Sequence, residues 1–319
     1  MKLIFILSFF FFVACSSRTK VTNPYFYHAV KDKTSIYILG TMHVGFKLAD
    51  FHPKVIKELD GAQAVALEAN EDVFDAFSEI KQKRAAEYVT RFTNVPYEHL
   101  EARFSARAWK NLKFTLKQDE VKKILKARNI SVEPLKLNPA VIIAVVRDLL
   151  DRTQLYAFSD EVKDGWKNLN LQWSHFDTAN LVDKEILSRA HANTTHVIAL
   201  DVVSDDLVNL LTDFEKISLN FLENFFGDSA KRAARYNEIR EAYQQGKEVD
   251  LLKDLEEMGL TDTLIRKRNE EWLPRLLKIE EMNIFMAVGA AHLIGKYSFL
   301  EMLEKEGFQV TKIQLKQKP

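Results

Sequence analysis

The part of the sequence that decides the fold is the stretch Ser35-Ile36-Tyr37-Ile38-Leu39-Gly40-Thr41-Met42-His43. Its first five residues are β-rich, which predicts a strand. The strand leads directly into a glycine and, three residues later, a histidine. A glycine at this point lets the chain turn sharply off the strand without a side chain blocking the cleft. We therefore expect His43 to lie at a cleft beyond the end of this strand.

Two further strand-like runs also end in residues that can bind a metal ion or move a proton. Ala64–Leu67 ends at Glu68, and Ile284–Val288 leads into Gly289-Ala290-Ala291-His292. Open α/β sheets place their ligands at the carboxyl ends of parallel strands, where helix N-termini also point. A site shared with His43 therefore requires the N-terminal and C-terminal strands to be neighbours in one sheet.

The order of the predicted elements indicates an α/β protein. The runs Tyr25–Val30 and Ser35–Leu39 are typical of a hairpin, and the strand, short helix and strand that follow are typical of a βαβ-like unit. We predict a mixed, largely parallel sheet in an α/β core over residues 25–70, 196–201 and 283–315, and a large helical insertion over about residues 71–280. After the last histidine we predict a helix over Leu293–Glu306 and a strand over Gln309–Leu315.

Composition excludes several classes of protein. Lys+Arg and Asp+Glu both number 45, so no global basic field gathers nucleic acid, and we expect no nucleic-acid partner. A single cysteine excludes an intrachain disulfide framework and multi-cysteine zinc sites. The chain contains no His-Glu-x-x-His and no Gly-x-Ser-x-Gly, which disfavours thermolysin-like zinc proteases and α/β-hydrolase serine enzymes.

The N-terminus has the pattern of an export signal. Lys2 precedes the apolar run Leu3–Ala14, which is short for a membrane-spanning helix, and Cys15 follows at once. This resembles a bacterial lipoprotein signal, in which the cysteine is lipidated and becomes the new N-terminus. We predict a signal peptide over residues 1–14, a tether over 15–24, a lipid anchor on Cys15 and attachment to the outer membrane on its periplasmic face, since Ser16 is not aspartate. An ordinary secretory signal with an incidental cysteine is the alternative.

Three motifs follow one another in a specific order along almost the whole chain. They are Ile38-Leu39-Gly40-Thr41-Met42-His43-Val44-Gly45, Ala66-Leu67-Glu68, and Ala287-Val288-Gly289-Ala290-Ala291-His292-Leu293-Ile294-Gly295. Weaker support comes from Leu200-Asp201 at a strand end and from the pair Arg268-Asn269. With these motifs the chain, from about residue 25 to 313, resembles the TraB/GumN family, whose animal relatives are the TIKI proteins.

The resemblance implies a fold related to that of erythromycin esterase and of a haem-binding lipoprotein. It also implies an activity, because the TIKI branch is described as divalent-metal-dependent peptidases that need both histidines and the glutamate. Carried over to this chain, His43, Glu68 and His292 are the expected metal-binding and catalytic residues. Arg268 and Asn269 are expected to be catalytic as well, with the arginine stabilising a developing anion. The expected substrate is a peptide or a small molecule.

Several roles stay open at this level. Two imidazoles and a carboxylate can hold Mn²⁺, Co²⁺ or Zn²⁺ with open positions for water, or Glu68 can be a general base. Glu68 can also be a structural ion-pair partner of Arg268. Asp201, where relatives usually have glutamate, and Asp183 can be ligands or helix caps. A lipoprotein that binds a peptide or haem without catalysis, and a metal-independent esterase-type hydrolase, are the alternative functions.

Overall fold

Residues 21–42, 46–165, 182–247, 252–257 and 259–315 are described by the computed structural model of this chain. Within them one sheet is formed by six strands: β1 (Tyr25–Lys31), β2 (Thr34–Thr41), β3 (Ala64–Leu67), β4 (His196–Ala199), β5 (Asn283–Gly289) and β6 (Gln309–Lys312). Their order is β4-β3-β5-β2-β1-β6. The first four in that order run parallel, and β1 pairs antiparallel with both β2 and β6. The predicted α/β fold with a mixed, largely parallel sheet is confirmed.

The pairing of β2 with β5 joins the two ends of the chain. Thr41 lies opposite Gly289, and on the other side of β5 Leu67 lies opposite Ala287. Because these strands are parallel and in register, the residues that follow β2, β3 and β5 leave the sheet at the same edge. The prediction that N-terminal and C-terminal strands are neighbours is therefore confirmed.

Gly40 allows a close approach of the backbone at this edge. A Cβ atom at that position would lie 2.7 Å from the Cβ of Tyr25 and 3.1 Å from the Cα of Ala290. The absence of a side chain thus lets β1 and the turn after β5 pack against the end of β2. Gly40 itself lies within β2 and does not have a positive φ, so its physical role is close packing and not the turn expected from the sequence.

Twelve α-helices lie in the described residues. They are α1 (Pro53–Asp60), α2 (Glu71–Phe92), α3 (Ala106–Leu116), α4 (Asp119–Ala127), α5 (Pro139–Asp151), α6 (Val182–Ala192), α7 (Asp205–Leu211), α8 (Phe214–Phe226), α9 (Ser229–Gln245), α10 (Lys253–Glu257), α11 (Arg268–Leu276) and α12 (Phe299–Lys305). A π-helical turn, Asp262–Lys267, runs directly into α11. Such turns occur often at functional sites.

Two hydrophobic clusters organise these elements. The first contains the sheet and the inner faces of α1, α6, α11 and α12. The second is entirely helical and is formed mainly by α3, α4, α5 and α8. Of the phenylalanines of α8, Phe225 and Phe226 are buried in the second cluster, whereas Phe221 is exposed. These helices therefore have a core of their own, beside the sheet.

The helix predicted over Leu293–Glu306 is wrong in its first half. A short 3₁₀ turn, Ala290–Leu293, ends there, and Gly295 takes a positive φ of 70° that an α-helix does not permit. The helix begins only after Ser298, whose side chain accepts a hydrogen bond from the amide of Leu300 at 3.2 Å. The apolar periodicity of the segment did not reveal this break.

The predicted signal peptide, Cys15 and the first part of the tether lie outside the described residues. The last tether residues are described, and they pack on the domain: Val21 is buried, and the amide of Thr22 donates to the carbonyl of Gln244 at 2.9 Å. Among the described residues, no helix combines the length and the apolar character needed to cross a membrane.

Candidate functional site

Four predicted or suspected site residues come together at the carboxyl edge of the sheet. Glu68 directly follows β3, Asp201 follows β4, and His292 lies in the turn after β5. Arg268, the first residue of α11, reaches all three of them. His43 was predicted to join this set, but it lies outside the described residues.

Arg268 is the centre of this cluster. Its Nε donates to Asp201 Oδ1 at 3.0 Å, and Nη2 donates to Asp201 Oδ2 at 2.8 Å and to Glu68 Oε2 at 2.6 Å. Nη1 makes the two longest contacts, 3.2 Å to Nε2 of His292 and 3.4 Å to the carbonyl of Leu264. A guanidinium has five N–H groups, so each one is engaged. If Arg268 is to stabilise a developing anion, as predicted, one of these hydrogen bonds must break to free a donor.

The ion pairs of Arg268 are shielded from water. The side chains of Arg268, Glu68 and Asp201 are only 15%, 16% and 8% exposed. Burial alone would lower the pKa of Arg268, but the charges of the two carboxylates raise it. Burial raises the pKa of Asp201, and the nearby charge of Glu68 adds to that effect, while Arg268 opposes it. Two acids thus share one cation in a poorly solvated place.

Trp272 packs against the cluster. It is fully buried one helical turn after Arg268, and its Nε1–H donates to Asp201 Oδ1 at 2.8 Å. The guanidinium carbon of Arg268 lies 4.6 Å from the centre of this ring, and the ring of His292 lies 4.3 Å from it. Sequence reasoning did not select Trp272. Its spacing from Arg268, four residues on the same helix, is the pattern that could have identified it.

The carboxylate of Glu68 is held at both oxygens. Oε2 accepts from Arg268, and Oε1 accepts the backbone N–H of Gly289 at 2.5 Å. Oε1 also lies 3.9 Å from Nε2 of His292. The amide of Gly289 therefore ties β5 to the acid at the end of β3. The ion pair with Arg268, which the sequence left open, is present.

The hydrogen bonds around His292 determine which ring nitrogen carries the proton. The amide nitrogen of Asn269 donates to two carbonyls, those of His292 at 3.1 Å and Tyr297 at 2.7 Å. The orientation of this amide is thereby fixed, and its Oδ1 faces Nδ1 of His292 at 2.7 Å. An amide oxygen only accepts, so Nδ1 must be the donor. Nε2 then faces a donor, Nη1 of Arg268, which fits a neutral imidazole with its lone pair on Nε2.

Two cavities open beside the cluster. The larger, of about 550 Å³, is lined by Glu68, Asp201 and Asp183 together with apolar side chains of β3, α2, α6 and α7. The smaller, of about 320 Å³, is lined by His292 and the turn Gly289–Ala291. Leu264 and Arg268 line both cavities and therefore form the wall between them.

A metal ion was expected from the resemblance, and the described residues allow a partial test of its fit. The lone pair of His292 Nε2 and the Oε2 oxygen of Glu68 both face the guanidinium of Arg268, at 3.2 and 2.6 Å. A divalent cation bound to the same two atoms would meet a fixed positive charge at short range. Arg268 would therefore have to move away before these two atoms could hold a metal ion. Within the residues that the structure describes, no group of three His, Cys, Asp or Glu side chains is arranged to hold one.

Comparison with known proteins gives one match. A model of the TraB/PrgY/gumN family matches residues 25–312, from the first residue of β1 to the last residue of β6. No curated protein and no solved structure matches the chain.

Proposed function

The chain belongs to the TraB/PrgY/gumN family, and on that basis we propose that it is a hydrolase in which His292 and Glu68 activate water for attack on a peptide or related acyl bond. The observation that carries the proposal is the oriented imidazole of His292. Its Nδ1 is anchored by Asn269, so its lone pair on Nε2 is directed to the opposite side of the ring, where Arg268 and Glu68 lie, and His292 lines the smaller cavity. A base with one defined acceptor atom is what proton abstraction from water requires.

The reaction that fits these residues is a proton transfer coupled to addition. Nε2 of His292 takes a proton from water, and the water oxygen forms a bond to the carbonyl carbon of the substrate while the π electron pair of the C=O bond moves onto the carbonyl oxygen. That pair then re-forms the C=O bond as the old bond from carbon to the leaving nitrogen or oxygen breaks, and the imidazolium gives its proton to the leaving atom. Nη1 makes the two longest contacts of the Arg268 guanidinium, so its contact with Nε2 is the one that we expect a water molecule to replace.

Charge in the cluster supports the transient imidazolium. Glu68 and Asp201 are two acids that share the single guanidinium of Arg268, so with both ionised the group carries one net negative charge. Protonation of His292 neutralises it, with Glu68 Oε1 at 3.9 Å as the nearest acid oxygen of the cluster. We infer that Arg268 is a positioning residue, since its donors hold the acids and the imidazole in place.

Metal dependence is a second candidate. A ligating histidine commonly donates its other N–H to an oxygen, as His292 does to Asn269, and this observation favours the metal that the resemblance implies. A bound ion of Mn²⁺, Co²⁺ or Zn²⁺ would polarise a carbonyl and acidify water. Chelation separates the two candidates: activity that survives EDTA supports the metal-free site, whereas loss in EDTA and recovery with Mn²⁺ supports the metal site.

The Glu68→Gln variant tests the role of the acid. We expect kcat/KM to fall about 10–100-fold, because the charge that stabilises the imidazolium from 3.9 Å is lost while the base is retained. The measurement uses fluorogenic peptides with apolar residues and p-nitrophenyl esters. If wild type and Glu68→Gln bind such a peptide equally and neither cleaves it nor the esters, the chain is a binding protein and not a hydrolase.

A matched control is available at the opposite edge of the same sheet. Glu281, just before β5, pairs with His196 at the start of β4, with 2.6 Å between Glu281 Oε1 and Nδ1 of the histidine. This is also a glutamate–histidine pair, but neither residue lines the two cavities at the site. We expect Glu281→Gln to keep the activity of wild type. If Glu281→Gln and Glu68→Gln lose equal activity, the loss in Glu68→Gln does not reflect a specific role of Glu68.

We also propose that the chain is exported and held at the outer membrane, on the periplasmic face, by lipid on Cys15. Support comes from the sequence alone, through the apolar run Leu3–Ala14 that ends at the cysteine. In bacterial cells, we expect the wild-type protein to be found in the membrane fraction and to incorporate labelled palmitate. The Cys15→Ala variant is expected to lose the label. Equal membrane recovery and equal labelling of the two proteins would contradict the anchor.

A further inference from the structure

The smaller cavity has a feature that the proposed chemistry does not use. Thr41, the last residue of β2, is 2% exposed and lines this cavity together with His292. Among the described residues no hydrogen-bond partner of its Oγ1 exists. The backbone around it is occupied, because Thr41 lies opposite Gly289 in the sheet and the preceding carbonyl, that of Gly40, accepts from Tyr243 at 2.8 Å.

A buried hydroxyl without a partner is unfavourable. Removing it from water costs free energy that only a hydrogen bond returns, so such groups in proteins are generally paired. The same position would accept valine, which has nearly the same shape and no polar atom. Thr41 lines a cavity beside an oriented base, so its hydroxyl is explained most simply by a ligand in that cavity that binds to it.

The walls of the smaller cavity indicate the kind of ligand. They are mostly apolar, with side chains contributed by Met42, Ile239, Tyr243, Leu255, Leu264 and Ile265. The volume of about 320 Å³ is at the lower end of the range for ligand sites, which suits one amino-acid-sized group. An apolar group that also carries a carbonyl would fill the walls and accept a hydrogen bond from the hydroxyl.

We propose that the smaller cavity binds an apolar residue on one side of the bond to be cleaved, and that Thr41 Oγ1 donates a hydrogen bond to a carbonyl oxygen of that residue. The larger cavity, which is also rich in apolar side chains, takes the other side of the substrate, so that the reacting bond lies over Leu264 and Arg268. The substrate class is thus a peptide with apolar residues on both sides of the bond. This inference rests on the proposed function, but its binding step can be tested without turnover.

The test compares Thr41→Val with Thr41→Ser, using N-acetyl-leucinamide as a probe and measuring its binding by calorimetry. We expect the probe to bind wild type and Thr41→Ser with affinities within twofold of each other. Its affinity for Thr41→Val is expected to be at least about fivefold lower, because one hydrogen bond is lost. Unchanged affinity in Thr41→Val, or no saturable binding to wild type, would overturn the proposal. Because binding is measured, an inactive wild type would count against the hydrolase and not against this subsite.

Stability without ligand distinguishes a ligand contact from a structural bond. Thr41→Val is expected to unfold at the same or a higher temperature than wild type, because no bond is lost. Thr115 is the matched control, since it is fully buried on α3 and its hydroxyl donates to the carbonyl of Asn111 at 3.3 Å. Thr115→Val is expected to unfold at a lower temperature. If Thr41→Val lowers the unfolding temperature as much as Thr115→Val does, the assignment of the hydroxyl to a ligand is overturned.

Discussion

Replacing Arg268 with leucine is expected to lower the free energy of unfolding by about 3–5 kcal/mol, because removing one partner of a buried ion pair leaves its counter-charges uncompensated. Here the variant would remove the common cation of two acids, Glu68 and Asp201, whose side chains are only 16% and 8% exposed. Three of the five bonds of the guanidinium go to these acids. Urea unfolding of wild type and variant, followed by circular dichroism, measures the difference.

The neighbouring Arg266 provides a control with the same residue type and also two acidic partners. It pairs with Asp262 and Glu270 on the surface of the same helical segment, and these acids are 54% and 51% exposed. Exposed pairs contribute about 0–1 kcal/mol, so Arg266→Leu is expected to have a small effect. If the two variants lose equal stability, burial of the Arg268 cluster is not the source of its energy.

Arg268→Lys refines this prediction. Lysine keeps the positive charge but lacks the planar fork that binds Asp201 through Nε and Nη2. We expect a loss of stability between those of wild type and Arg268→Leu. Stability equal to wild type would indicate that charge alone, and not the fixed geometry of the donors, holds the two acids.

Replacing His292 with glutamine is expected to lower kcat by about 10²–10⁴-fold, the range for loss of a general base, with a smaller change in KM. The reason is that the lone pair on Nε2, oriented through Asn269, is the proton acceptor of the proposed reaction. The expected loss exceeds that of Glu68→Gln, because the acid acts on the charge of the imidazolium and does not take the proton itself. Steady-state kinetics on the same fluorogenic peptides measure both variants.

His196→Gln is the control for this variant. His196 also lies beside a glutamate, but its side chain is 62% exposed at the opposite edge of the sheet. We expect its kcat to equal that of wild type. If Glu68→Gln loses more activity than His292→Gln, the general base is the acid, a role that the sequence left open. If His292→Gln is as active as wild type while it remains folded, the proposed mechanism is wrong.

Some features of the site were predictable because they depend on neighbours in the chain. The β-rich runs before Gly40 and Gly289 predicted two strands that the structure contains, and a common site for their ends required the pairing of β2 with β5, which the structure also contains. The resemblance to the TraB/GumN family was carried by these same segments and is confirmed by the match over residues 25–312. Metal binding and the role of His43 stay predictions.

Other features were not predictable because no local pattern encodes them. The ion pair of Glu68 with Arg268, about 200 positions away, could be named as one alternative, but nothing near either residue decided between it and a catalytic role for the acid. Asp201 was left open between a ligand and a helix cap, yet it accepts from Arg268 and Trp272. The break at Gly295 was missed since a left-handed residue leaves the apolar spacing around it unchanged.

The sequence by itself determined which residues could act and on which elements they lie. Strands that lead into a glycine, an acid or a histidine are visible in the order of the amino acids, because strand propensity and turn formation depend on adjacent residues. Packing alone decided which charges touch and which nitrogen of His292 carries its proton. It also decided which buried hydroxyls, in the part of the chain that the structure describes, lack a partner. These properties depend on burial and on contacts between distant segments, and both arise only when the sheet and α11 close together.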